Sequence, residues 1–295
     1  MKRKLIPALA AFFIVLNVTI VAVVLLTESE PPQRAMPNPN GYDDFVSAGK
    51  LVLLGNVDTT KLNHDELAAL VASNRSALAA VRAGLTHGSL VPDNYSTTNK
   101  DVLLTDYAAF KNLSLVITAE GRLAEMEGRT NDAAKIYLEA ARFGQDSSRG
   151  GVIMSRLVGV GCENIAINCL RPLNNQLDAT NSRALAKGLE TLDDREDTPE
   201  QTLRQEARWA RKTYGIRGQI ALLFTYQQLK VTRDTFTAKD QNLMRARREM
   251  MLLFATHAYE LEKGKPAATA ADLVPDYLKA IPKDLVTGQD LNLGR

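Results

Sequence analysis

The sequence predicts an all-α protein, built mainly from antiparallel helix pairs and closed by an irregular C-terminal tail. Three observations predict it. Apolar residues recur at helical spacing over long stretches after residue 63. Helix-start and helix-stop residues bracket those stretches. Aromatic residues make up only 6% of the 295, while Ala and Leu are plentiful.

The first element is an apolar run. Lys2, Arg3 and Lys4 precede an uncharged stretch from Leu5 to Leu26. As a helix it spans about 33 Å, enough for a ~30 Å hydrocarbon core. Basic residues before it and Glu28 and Glu30 after it orient the N-terminus to the cytoplasm and the rest outside. Ala22–Thr27 lacks a small-x-small cleavage site, so residues 1–27 read as an uncleaved anchor, with 5–26 in the lipid bilayer. The expected location is the cytoplasmic (inner) membrane, single-pass, with the C-terminal body outside. Residues 28–41 hold four prolines and read as an extended linker. A helical body at 42–264 and a docking tail at 265–295 follow.

Within the body, Asn63 and Glu66 predict a capped helix start. Leu67, Val71, Leu78, Val81 and Leu85 then continue one helical stripe, which also contains Asn74. Thr86–Gly88 ends that helix. The next runs from about 101 to 127, and Gly128–Asn131 forms a tight turn. A helix at 132–143 is expected to close at Gly144. Further helices are predicted at about 147–170, stopping before Pro172, and at 181–192. Pro199 and Glu200 open another, which reaches about Lys230 with weakness at Gly215 and Gly218. The last spans about 239–263 and is capped by Gly264. In the tail only a short turn at 270–274 reads as helical.

Setting Lys2, Arg3 and Lys4 aside, basic and acidic residues nearly balance; the full chain has 36 and 34. A nucleic-acid partner is therefore not expected. The two cysteines, Cys162 and Cys169, fall on one predicted helix with Cα atoms about 10.5 Å apart, too far for a bridge. They are expected to be free thiols.

No G-x-S-x-G, H-E-x-x-H, Walker loop, G-x-G-x-x-G or C-x-x-C occurs, and no catalytic residue, cofactor or metal site is assigned. Gly159 and Gly161 read as a place of close helix approach. His64 and His87 are expected on the surface, and His257 with Glu260 three residues on as a surface pair. Asp193, Asp194, Glu196 and Asp197 precede a helix and read as capping and dipole residues. Arg208, Arg211, Arg217, Arg245, Arg247 and Arg248 form either a solvated face with helix salt bridges or a basic face toward an anionic partner.

The stretch from Ala119 to Ala141 resembles one tetratricopeptide repeat. Gly121 occupies the small helix-A position, and Ala133, Tyr137 and Ala140 match the small, aromatic and small helix-B positions. Glu120 and Ala124 depart from that pattern, and no second copy follows at a 34-residue period. The resemblance implies a helical hairpin with a protein-binding groove around 121–140. A second resemblance covers the end of the chain. Gly264-Lys-Pro266, Asp272–Leu278, Ile281–Asp284 and Thr287-Gly288 look like the closing segment of type II secretion major pseudopilins. That segment can hold calcium in the family. Here Leu285 follows Asp284 and no acidic cluster completes an oxygen cage, so no cofactor is expected. The whole layout is similar to uncharacterised membrane-anchored exported proteins of planctomycete and verrucomicrobial bacteria, a likeness that implies location and carries no activity.

These readings favour a non-catalytic binding or scaffolding protein, acting on a protein partner through a helical surface. The candidate surface residues are Asn74, Arg122, Tyr137, Arg208 and Arg211. An envelope hydrolase with an unrecognised site and an accessory subunit of a pilus-like secretion system are the alternatives.

Overall fold

The computed structural model describes residues 34–55, 57–93, 100–224, 226–285 and 287–293, with the backbone alone at 100–103 and 216–229. The expected anchor and residues 28–33 of the expected linker lie outside these residues. From Ala35 onward the chain forms one unit. It is all-α: nine α-helices are present among the described residues, with no strand.

The first helix, α1 (Gly41–Leu51), was not legible as a helix. Asn40 caps it by accepting from the Tyr42 N–H, Asp43 and Asp44 sit in its first turn, and Tyr42, Phe45 and Ala48 are buried. The end of the expected spacer is therefore not extended away from the body. Asn40 donates to the Leu90 carbonyl at 2.9 Å and accepts from the Leu90 N–H at 3.0 Å. The Gly41 N–H reaches the Gly88 carbonyl at 2.9 Å.

The capping box at Asn63 and Glu66 is present and starts α2 (His64–Ser73). The single helix expected through Leu85 is broken, because α3 (Arg75–Leu85) begins anew after Asn74. The Asn74 side chain accepts from the Leu53 N–H at 2.7 Å and donates to the Leu53 and Leu70 carbonyls, each at 2.9 Å. An Asn that binds nearby backbone in this way competes with helix continuation.

The next pair, α4 (Lys100–Met126) and α5 (Thr130–Asp146), turns at Gly128, whose φ of 74° suits glycine. A Cβ on Gly121 would stand 2.3 Å from the Tyr137 ring, so the small and aromatic positions of the hairpin interlock. Arg82 of α3 spans the pair, donating to Glu120 at 2.6 Å and Glu139 at 3.1 Å. The rings of Tyr42, Phe110, Phe143 and Phe45 meet edge to face at 5.1–6.0 Å and weld α1 to α4 and α5.

Gly144 does not end α5, which runs on to Asp146. Its role is approach. A Cβ there would stand 2.6 Å from the Glu163 backbone nitrogen and 3.0 Å from the Gly159 carbonyl oxygen of α6 (Ile153–Leu170). Gly159 serves the same contact, since its Cβ would fall 2.6 Å from the Gly144 carbonyl oxygen. Gly161 does not: nothing lies within 4 Å of a Cβ added there. The helix α6 starts later than expected, after a turn containing Gly150 (φ 73°). Its opening N–H at Ile153 is capped from a distance by Glu206, at 2.9 Å.

Ile153–Gln176, which adds the 3-10 turn Arg171–Gln176 to α6, is long and apolar enough to cross a membrane by length and composition. Half of it is buried inside the protein, and Arg156 and Glu163 on it are paired with charges elsewhere in the body. That is the packing of a core helix. Cys162 and Cys169 both lie on α6 and are free thiols, as their spacing predicts. Burial pushes Cys162 up to about 12 and Cys169 up to about 11. At pH 8 the folded protein should therefore alkylate slowly with iodoacetamide, and the denatured protein should take up two equivalents. Fast modification of both thiols in the folded state would contradict this packing.

Asp178 caps α7 (Ala179–Asp194) by accepting from the Asn181 N–H at 2.8 Å. The next helix, α8 (Pro199–Phe224), is kinked at Gly215 (φ 58°, ψ −158°), where weakness was expected. The last, α9 (Tyr226–Lys263), begins well before the expected residue 239. Residues 231–237 are rich in β-branched side chains, which hides the helix. From Phe236 on the helix is packed: Phe236, Asp240, Leu243, Arg247, Met250, Phe254 and Ala258 are all buried along one stripe. Gly264, with φ of 66°, ends it as predicted.

The tail lies against this stack. Leu273, Tyr277 and Leu278 are buried, and the Tyr277 hydroxyl donates to Glu262 at 2.8 Å. The Lys279 N–H donates to Glu190 at 2.7 Å. Asp284 organises the last turn, accepting from the Thr287 N–H at 2.8 Å and pairing with Arg245 of α9. The Asp284 and Thr287-Gly288 motif thus has a structural use in this chain.

Candidate functional site

The five candidate surface residues do not form one surface. Asn74 is fully buried and spent on backbone hydrogen bonds. Tyr137 is wedged between α4 and α5 at 1% exposure, its hydroxyl donating to Glu125. Burial, aided by that carboxylate, pushes the phenol far above its usual range. Arg122 is half-buried and donates to the Thr59 carbonyl at 2.7 Å, holding the loop before α2. Arg208 is buried, with its guanidinium 3.5 Å from Asp93. Arg211 is half-buried on α8. Gly121, Ala133, Tyr137 and Ala140, around which a groove was expected, instead fill an inter-helix contact, while 126–129, 132 and 135 are exposed.

The expected arginine face is corrected in the same way. Arg247 points inward and is fully buried. Arg245 pairs with Asp284, and Arg248 donates to Asp193 at 2.8 Å. Arg217 lies where the backbone alone is described. His64 is exposed beside Asp65 at 3.0 Å, and half-buried His87 meets Asp44 at 2.9 Å.

The acidic run before α8 is the larger surprise. Thr198 and Gln201 do the capping, the Gln201 N–H donating to the Thr198 hydroxyl at 3.3 Å and the Thr198 N–H to Gln201 at 2.8 Å. Asp193, Glu196 and Asp197 turn inward instead, while Asp194 stays exposed and pairs with Lys279 at 2.7 Å. Asp197 accepts from the Gly150 N–H at 2.7 Å. Glu196 lies 2.5 Å from Arg156 and also pairs with Arg247. Arg156 donates to Asp240 at 2.7 Å, and Arg247 donates to Glu163 at 2.7 Å. Gln145 adds a 2.7 Å hydrogen bond to Glu196. Two guanidiniums and three carboxylates, none more than 2% exposed at the side chain, thus join α6, α9 and the segment between α7 and α8. Burial works against the charge on Arg247, but Glu163, Glu196 and Asp193 outweigh it and hold the guanidinium charged. Burial raises Glu163 and Asp240. It also opposes the charge on Glu196, yet Arg247 and Arg156 overcome it and lower that carboxyl. Each charge in this cluster is met by an opposite one, so the cluster fastens helices together.

The open feature lies on the neighbouring stripe of α9. Glu249, Leu253, Thr256 and Glu260 succeed one another at helical spacing and line a cavity of ≈ 470 Å³. Arg171 and Asn174 of the 3-10 turn form a second wall, and Leu291 and Leu293 of the tail a third. His257 borders it, and its Nε2 donates to the Leu177 carbonyl at 3.1 Å. The amide oxygen of Asn174 is buried with no hydrogen-bond partner. A cavity of this size falls in the range of small-ligand and peptide sites. Among the described residues no group of three His, Cys, Asp or Glu side chains is placed to hold a metal ion. In the sequence His257 reads only as one of a surface pair with Glu260. Its partnership with Arg171, Asn174 and the tail was not legible, because those segments are distant in sequence.

The fold and this cavity define an all-α protein with a groove built by three separate segments. No family model matches the chain, and no curated protein or solved structure is significantly similar to it.

Proposed function

We propose that this protein is a binding or scaffolding protein, anchored in the cytoplasmic membrane through residues 5–26, whose body outside the cytoplasm engages a protein partner. The observation that carries the reading is the groove between α9, the Arg171–Gln176 turn and Leu291–Leu293. Three segments converge there on a concave surface with an aliphatic floor and a polar rim, the composition of a recognition site. The buried ion pairs support the reading, because they lock α9 rigidly beneath the groove. The membrane location rests on the Lys2–Lys4 charges and the apolar run after them. The interlocked Gly121–Tyr137 hairpin is consistent with a tetratricopeptide-like pair, here used as a structural support for the groove-bearing helices.

The full-length protein, solubilised from its native membrane in mild detergent, is expected to migrate as a complex larger than its own mass on a native gel. Leu253→Arg should collapse that complex to the single chain while the circular dichroism stays helical. Migration at the mass of the single chain in both proteins, or a complex indifferent to Leu253→Arg, would contradict the reading.

A further inference from the structure

Near the groove, carboxylates without an ion pair stand beside charges that are paired. Arg82, Arg183, Arg245, Arg248 and Lys279 are each matched to a carboxylate. Glu249 and Glu260 make no ion pair or side-chain hydrogen bond among the described residues; the arginine one turn before Glu249 is taken by Asp284. The Asn174 amide oxygen is buried without a hydrogen-bond partner, and His257 borders the groove. The groove therefore presents two carboxylates that lack an ion pair, over a floor of Leu253, Leu291 and Leu293. Arg171, at the opposite wall, is the one Lys or Arg that lines it among the described residues.

We propose that the groove takes a short extended segment of a partner protein in which a lysine or arginine alternates with leucine-like side chains. This rests on the reading of the groove as the binding surface and names what it selects. The distance along α9 from Glu249 to Glu260 is about 16 Å, which an extended chain covers in about five residues. Leucine-like side chains sit on the aliphatic floor. The basic side chain lays its methylene stem there too and brings its charged end to a carboxylate. Arg171 is left to meet a backbone carbonyl of the bound segment. An acidic segment would face both glutamates and is disfavoured.

The test uses the full chain in a non-ionic detergent and three fluorescein-labelled peptide amides, Leu-Lys-Leu-Lys-Leu and its Gln and Glu counterparts, read by fluorescence anisotropy. The Lys peptide should bind saturably and at least about tenfold more tightly than the Gln peptide, and the Glu peptide should bind least. Glu249→Gln combined with Glu260→Gln should remove about tenfold of the Lys-peptide affinity and leave the melting temperature and the Gln-peptide affinity unchanged. Equal binding of the three peptides, absence of saturable Lys-peptide binding, or a double variant that binds like the wild type overturns the proposal. Leu253→Arg separates the two levels of inference. If it abolishes binding of every peptide while the glutamate variants change nothing, the groove stands and its basic selectivity falls. If Lys-peptide binding survives Leu253→Arg, the groove reading itself fails. A concentration-dependent dimer in sedimentation that Leu253→Arg dissolves would overturn the proposal in favour of a second copy as the occupant.

Discussion

Arg247→Ala is expected to destabilise the body by about 3–5 kcal/mol, among the largest effects of any single side-chain truncation in this protein. The guanidinium is fully buried and meets Glu163, Glu196 and Asp193 at once. Removing it leaves Glu163 and Glu196 facing one another across a dry interior, with only Arg156 to share. Leaving an uncompensated charge is what makes such a change costly; an ion pair replaced as a unit by apolar groups can be neutral. For a body of this size the loss corresponds to a fall of roughly 6–20 °C in melting temperature. Arg129→Ala supplies the contrast. Its ion pairs with Glu127 and Asp132 are exposed, and exposed pairs contribute at most about 1 kcal/mol. Similar losses for the two variants in a urea titration would mean that the Arg247 cluster does not hold the helices together.

Gly144→Ala is the second large effect, with an expected loss of about 1–3 kcal/mol. An alanine normally stabilises a helix interior by about 0.5–1 kcal/mol relative to glycine. Here the new Cβ would fall 2.6 Å from a backbone atom of α6, which no rotamer change can relieve. The helices must separate, and Glu163, whose nitrogen is the atom struck, moves with them. Gly161→Ala, two residues before Glu163 on the same helix, meets nothing within 4 Å. It should raise stability by about 0.5–1 kcal/mol. The two alanines are thus expected to shift the melting temperature in opposite directions, and shifts of the same sign would contradict the close approach of α5 and α6.

Much of the fold was legible. The capping box at Asn63, the turn at Gly128, the start at Pro199 and the end at Gly264 are local signals, and local signals survive into the structure. Two readings failed because a tertiary contact outweighed a local preference. Asn74 breaks a stripe that continues past it, because the Leu53 backbone offers its side chain a partner. Gly144 looked like a helix end and is a contact point between helices.

The site was less legible. The buried cluster did leave a trace: Asp240 and Arg247 fall on the apolar stripe of α9, and Arg156 and Glu163 on that of α6. Charges at core positions of two helices imply mutual pairing, and that pattern could have turned the acidic run at 193–197 from a capping cluster into an internal one. The groove left no such trace. Its walls come from residues 171–174, 249–260 and 291–293, and nothing local links them. Arg122 and Tyr137 drew notice because polar and aromatic residues on a hairpin suggest a surface, whereas their helices turn both toward internal partners.

The central claim, that the α9 groove is where this protein meets its partner, is tested most directly by photocross-linking in the native cell. The photoreactive residue p-benzoylphenylalanine would replace Leu253 or Leu291 in the groove, and exposed Lys135 or Lys61 away from it, each in the full chain. The account predicts one discrete higher-mass adduct from both groove positions and none from the two lysine positions. No adduct from the groove, or the same adduct from Lys135 or Lys61, would contradict it.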